Sequence, residues 1–284
     1  MRGENEISEA ADGPPIGPYD SSFIPHPSSI LSIIPNFLRV LGGIIGFSAS
    51  AVWASRRPPY FLHETLRQMY VISSRCFLPV VAVVVPMGAI VALQGLIIFR
   101  IFGLERLLSG LLFTSVFREI APGVASMMVA SQAGSSMAAE LGTMRVKDEI
   151  DAQEVMAVNP LQNLIMPRLV AGTVMNPLLT VIGCVLGVVG GWLVAVPLKG
   201  VNHGAFMANL YALVTMADIY QGLTKATIFG VIISMVSCYH GFHASGGAAG
   251  VGRAANRAVV QAVIALSIVN YFVSSAFFGF VGPH

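Results

Sequence analysis

Three ionisable residues sit where an apolar sequence has least reason to carry them. Arg118 and Glu119 interrupt a long apolar run shortly before Pro122, and Lys225 lies inside another such run. A charge within a bilayer is costly and normally faces the bundle interior or a polar cavity. Glu119 and Lys225 both fall toward the same ends of antiparallel runs, so they can pair across helices. Such a pair is either a structural clasp or part of a polar pocket or gate that meets a charged head group. The residues alone leave both readings open.

A second cluster is the stretch Arg145 to Glu154, the most charged in the chain. Asp148, Asp151 and Glu154 recur every three residues and share one face of a helix, with Val146, Ile150 and Ala157 on another. A short amphipathic helix between two apolar runs suits docking to a soluble partner or a plain solvated loop. His240 and His243, with Cys238 nearby, have a spacing that permits shared metal ligation. They read instead as interfacial residues, and no metal site is assigned. An intramembrane enzyme built on them would lack a base–nucleophile pair. Gly250-x-Gly252-x-x-Ala255 has no preceding strand and carries no dinucleotide reading, and no P-loop motif occurs. The chain therefore offers no ATP site of that kind, and no catalytic residue is assigned.

The elements that position these residues follow from composition. Hydrophobic residues make up 55% and charged residues 11%, against about 25% charged in soluble domains. Runs of roughly 20 apolar residues match the thickness of a bilayer core, and they are too continuous for barrel strands. Five spans are expected, at about 70–99, 107–141, 164–196, 223–239 and 254–280, with a mixed loop at 197–221 and a glycine-rich loop at 241–252. The class is an all-α integral membrane protein. Residues 1–27 are acidic, then proline-rich, unlike a signal peptide, and read as a disordered tail. Residues 28–59 read as an interfacial elbow helix, with a full span as the alternative. Residues 60–284 form the membrane domain.

Lys and Arg are concentrated on one set of flanks (Arg56, Arg57, Arg67, Arg145, Lys147, Arg168, Arg253, Arg257), with Arg100, Arg106 and Lys199 on the other. The positive-inside rule then puts the N-terminus and the loop 142–163 in the cytoplasm and the C-terminus outside. Gly183, Gly187 and Gly191 repeat G-x-x-x-G, and Ala130, Gly134 and Ala138 follow the same spacing. These stripes let helices approach closely, within the chain or across a dimer seam. Scattered basic residues and a net charge of +2 give no case for nucleic acid.

The run Phe117-Arg-Glu-Ile-Ala-Pro122 resembles the R-E-[IL]-[AG]-P signature of MlaE/YrbE permeases. The stretches 130–145, 148–160 and 167–168 continue the resemblance, and 241–252 looks like the family's last cytoplasmic loop. The likeness covers about residues 60–280. It implies a permease subunit of an ABC transporter that moves phospholipids or related lipids across the bacterial envelope from the inner membrane. It further implies a cytoplasmic ATPase carrying ATP and Mg, an MCE-domain lipid-binding protein outside, and a second permease copy, identical or paralogous. The segment 143–157, with Arg145, Asp148, Glu149, Asp151 and Glu154, matches the helix that couples to the ATPase. Arg118, Glu119 and Lys225 match charged positions near the lipid cavity. Asn270 stands where some members have an aspartate, so the family's charge network would lack one carboxylate here. An ATPase-independent secondary transporter or channel is the alternative, and the charged coupling segment argues against it.

Overall fold

The computed structural model describes residues 42–43, 46–47 and 62–280. The tail at 1–27 lies outside them, as does all but four residues of the elbow segment at 28–59. Among the described residues five helices are long and apolar enough to cross a membrane: α1 Leu62–Ile101, α2 Glu105–Val146, α4 Leu161–Leu198, α6 Met216–Phe242 and α7 Gly247–Phe280. Two shorter helices, α3 Glu149–Val155 and α5 His203–Leu213, lie between them. No strand occurs among the described residues.

The spans run beyond the lengths that apolar composition marked out. α1 has 40 residues, roughly 60 Å at 1.5 Å per residue, about twice a bilayer core. Its first turns are amphipathic and carry Glu64, Arg67 and Gln68. Hydropathy marks only the part of a helix that needs lipid. α6 likewise begins at Met216 rather than 223, because Thr215 and Asp218 form a reciprocal capping box there. The mixed loop at 197–221 contains α5, capped by Asn202, whose side chain accepts from the Ala205 N–H at 3.1 Å. The glycine-rich loop is short, since α7 begins at Gly247. The stretch 143–146 belongs to the end of α2 rather than to the short helix after it.

α4 packs along both α1 and α6, while α2 packs on α6 and α7. The small-residue stripes are internal contacts of this chain. A Cβ built on Gly187 would lie 3.0 Å from both Val116 and Val84, and one on Gly191 would lie 2.5 Å from Leu112. Gly183 faces Val80 and Val84, and Gly134 faces Ser237 and Ile233. All four glycines are buried, and their faces are filled from within the chain. Without a hydrophobic drive between helices in lipid, such close approach supplies the van der Waals contact that holds spans together.

The tightest crossing is between α1 and α4. A Cβ on Gly88 would stand 2.0 Å from the Gly187 carbonyl oxygen. Backbone cannot yield as a flexible side chain can, so Gly88→Ala is expected to destabilise by about 1–3 kcal/mol or more. Gly123, whose Cβ would meet nothing within 4 Å, is the control. Gly123→Ala is expected to leave the melting temperature in detergent unchanged or slightly raised. Equal melting of the two variants would show that the crossing is not tight.

Candidate functional site

The site is organised around one buried ammonium. Lys225 has no solvent-exposed side-chain surface, and its Nζ meets three oxygens. It lies 2.6 Å from Glu119 Oε1, 3.0 Å from the Arg118 carbonyl and 2.7 Å from Ser274 Oγ. An ammonium has three donors and no acceptor, so all three are used.

The local sequence prepares this arrangement. Val116–Ile120 is a π-helical turn within α2, a departure that recurs at functional sites. Pro122 has no N–H to give to the carbonyl four residues before it, which is that of Arg118. Lys225 donates to that carbonyl instead. One turn before Lys225, Gly222 brings α6 against α2: a Cβ there would lie 2.5 Å from the Phe117 carbonyl oxygen. A larger residue would push Lys225 away from its acceptors.

α7 closes the network. Asn270 Nδ2 donates to Glu119 Oε2 at 3.3 Å, and Ser274 Oγ lies 3.0 Å from Glu119 Oε1. Asn270 therefore joins the network as a neutral donor. An aspartate would instead set a second carboxylate beside Glu119. Arg118 turns the other way, to Asp218 at the start of α6. That aspartate is buried, and its Oδ2 also caps the helix by accepting from the Thr215 backbone N–H at 3.2 Å, with the Thr215 hydroxyl donating to it at 2.8 Å. The structure thus brings Arg118, Glu119, Lys225 and Asn270 into one cluster and adds Asp218 and Ser274. Asp218 was hidden by its place in an apparent loop, although Thr215-Met-Ala-Asp218 has the spacing of a capping box. Nothing in the pattern marked Ser274.

The cluster borders a cavity of about 510 Å³ between α2 and α7, with Leu111, Thr114 and Tyr271 completing its wall beside Arg118, Glu119 and Asn270. Glu119 keeps 42% of its side-chain surface exposed. Its carboxylate thus faces the cavity while it holds Lys225 behind it. Deeper in the bundle, Asn176 ties three spans. Its Nδ2 donates to Ser126 Oγ at 2.8 Å and to the Ala226 carbonyl at 2.7 Å. A lone asparagine in an apolar span carries no mark of this role in the sequence.

The segment 143–157 has a different shape from the regular helix its spacing implied. Asp148 sits in the left-handed region, φ 58°, which aspartate tolerates better than most residues. It breaks α2 from α3, and Ala157 also has positive φ beyond the end of α3. Asp148, Asp151 and Glu154 therefore do not form one continuous acidic face. Asp151 pairs with Arg145 of α2, whose guanidinium also lies over the Phe242 ring. Ile150 is fully buried against Leu141, Leu164 and Ile165, which fixes the short helix to the bundle. The surface left outward carries Asp148, Glu149, Asp151, Ala152, Glu154, Val155 and Met156. At the same end, His240 Nε2 lies 2.6 Å from Gln261 Oε1 and His243 Nδ1 lies 2.8 Å from the Tyr239 carbonyl. Both rings have protein partners.

The two halves of the central pair are not equivalent. Removing Glu119 leaves a fully buried cation short of its counter-charge, whereas removing Lys225 leaves a carboxylate that still reaches the cavity. Breaking a buried pair costs about 3–5 kcal/mol, while replacing both partners by apolar residues can be nearly neutral. Glu119→Ala is expected to lower stability most, Lys225→Met less, and the double variant less than Glu119→Ala alone. Thermal unfolding in detergent checks the order, and additive single effects would dismiss the coupling.

Residues 65–276 match the family described as Permease MlaE. A probable ABC transporter permease protein of Rickettsia conorii is 39% identical over 243 residues, 85% of this chain and 93% of the relative. The intermembrane phospholipid transport system permease protein MlaE of Haemophilus influenzae is 31% identical over 247 residues, 86% of this chain and 94% of its own. A probable ABC transporter permease protein of Synechocystis is 32% identical over 211 residues, 74% of this chain and 80% of its own. With five spans and a matching region that covers nearly all the described residues, the chain belongs to the MlaE permease family and is the permease subunit of an ABC transporter.

Proposed function

We propose that this permease moves phospholipids across the bacterial cell envelope and that the cavity between α2 and α7 receives the lipid. The observation that carries the reading is the composition of that cavity. Arg118, Glu119 and Asn270 offer charge and hydrogen bonds, and Leu111 and Tyr271 offer apolar surface in the same wall. An amphiphile needs both. The name of the Haemophilus relative, a phospholipid transport permease, supports the same substrate class.

Under this reading ATP and Mg are bound and hydrolysed by a separate cytoplasmic ATPase, and this chain binds no cofactor. The outward surface of α3 and the turn after it docks that ATPase. Val155 and Met156 are 88% and 66% exposed, and Glu154 stands beside them. An apolar tip rimmed by acid suits a partner groove better than open water. An MCE-domain lipid-binding protein meets the outer face, and a second permease copy, identical or paralogous, completes the membrane part. The end of the bundle with Arg67, Arg75, Arg145, Lys147 and Arg168 faces the cytoplasm by the positive-inside rule. The N-terminus is then inside and the C-terminus outside.

Three outcomes test this. The Glu119→Ala/Lys225→Met double variant is expected to fold, retain its ATPase and fail to move lipid between membranes. Unimpaired transport would return the pair to a structural clasp. Glu154→Lys with Val155→Asp is expected to reduce ATPase copurification without lowering the melting temperature, and full copurification would remove α3 from the interface. For orientation, single cysteines replace Lys199 and Asp148 in a background lacking the native three. A membrane-impermeant thiol reagent applied to intact spheroplasts is expected to label position 199 only. Labelling at 148 would invert the topology.

A further inference from the structure

At the opposite end of the bundle from the charged network lies a second and larger cavity, of about 800 Å³, bordered by α1, α2, α3 and α4. It falls within the range of small-molecule sites. Four cations line it, Arg67, Arg75, Lys147 and Arg168, against three carboxylates, Glu64, Glu140 and Glu149. Neutralisation is incomplete. One carboxylate, Glu140, serves two guanidiniums from different spans, Arg75 and Arg168, each at 3.5 Å, and Arg75 also donates to the Ser136 hydroxyl. Those are loose contacts for charge-assisted pairs, which normally close to about 2.7–2.9 Å.

Arg168 is the most telling of the four. Its side chain is 7% exposed, and its Nη1 donates to the Leu164 carbonyl at 2.9 Å. Its Nε has no hydrogen-bond partner among the described residues. Arginine cannot shed its charge on burial, and a buried charge normally has its donors satisfied. Lys147 has no ion pair among the described residues. Apolar wall comes from Val71, Met144 and Leu164.

We infer that this cavity is a binding site for a phosphate-bearing group, held by Arg75, Arg168 and Lys147. Planar guanidiniums match phosphate oxygens bidentately, and an anion there would satisfy the cations that Glu140 reaches only loosely. The apolar wall favours a phosphate joined to acyl chains, a phospholipid head group of the near leaflet, over free phosphate. That choice of source rests on the phospholipid reading above; the anion site itself stands on the cavity. In such a transporter the site is a second station, at the other end of the bundle from the α2–α7 cavity.

The test uses the full chain in a neutral maltoside detergent with its ATPase bound. Three probes are titrated by calorimetry: dihexanoylphosphatidylglycerol below its micelle concentration, inorganic phosphate, and dihexanoylglycerol as a phosphate-free control. The phosphatidylglycerol is expected to bind saturably and the control not to bind. Arg75→Gln with Lys147→Gln is expected to weaken it roughly tenfold or more. Lys199→Gln, at the far end of the bundle, serves as the charge control and is expected to leave the affinity unchanged. Inorganic phosphate that binds as tightly and displaces the lipid would keep the phosphate site and make solution its source. Binding of neither phosphate probe, or binding equal in the Arg75/Lys147 variant, would overturn the site. Size-exclusion and ATPase copurification of the variants exclude misfolding. Lipid transport measured in parallel separates the two ideas, since normal transport with no phosphate binding sinks this site and leaves the transporter reading in place.

Discussion

The arrangement of one end of the bundle depends on keeping one ammonium charged with no access to water. Lys225 can be buried only if three oxygens stand around it, because each unsatisfied donor in a poorly solvated place costs more than a hydrogen bond contributes. Those oxygens come from two different spans, a carboxylate and a carbonyl from α2 and a hydroxyl from α7. The requirement therefore fixes how α2, α6 and α7 sit against one another. It also accounts for Pro122, which frees the Arg118 carbonyl, and for Gly222, which lets α6 come near enough. The same carboxylate that holds Lys225 faces the cavity, so the structural constraint and the candidate site share an atom group.

The remaining spans are held by another means. Between α1 and α4 no charge is needed, because Gly88 and Gly187 bring two backbones into direct contact. Valine and leucine side chains from α1 and α2 fill the space over the neighbouring glycines. Polar fastening is used where the bundle opens to a cavity, and small-residue packing is used where it is closed. Asn176 stands between these regimes, linking α4 to α2 and α6 through two donated hydrogen bonds.

Much of this was legible from sequence, for reasons that differ by residue. Five spans follow from the bilayer's demand for internally bonded apolar helices, which leaves a long-range mark on composition. Arg118, Glu119 and Lys225 stand out because charge is rare in such runs. The ends of the helices were harder. Beyond the hydrocarbon core no solvent penalty forces apolar residues, so α1 and α6 extend past their hydropathic limits. α5 was missed for the converse reason, since its mixed residues look like loop. Ser274 and Asn176 carry short polar side chains that any span tolerates, and only the positions of neighbouring helices show what they hold. In the segment 143–157 spacing alone is ambiguous. A three-residue period implies one face only if the helix is unbroken, and the left-handed Asp148 breaks it.

That break bears on how a motion would travel. α2 is continuous from Glu105 to Val146, with Glu119 toward one end and Arg145 at the other, roughly 40 Å apart at 1.5 Å per residue. Asp151 of α3 is tied to Arg145, and Ile150 is buried against Leu141 and Leu164. A partner that pushed α3 would therefore push α2 and α4 together rather than bend a free loop. Beyond its opening 3-10 turn at Glu105–Leu107, α2 departs from the regular α register at two π turns, Val116–Ile120 and Ala130–Gly134. Displacement entering at Arg145 meets the first of these at Gly134, packed on α6, and the second at Glu119, where the register of α2 decides whether its oxygens still reach Lys225. In the proposed transporter, coupling would consist of that question: a shift of one helix by a fraction of a turn, resisted by an ammonium that must keep three oxygens around it.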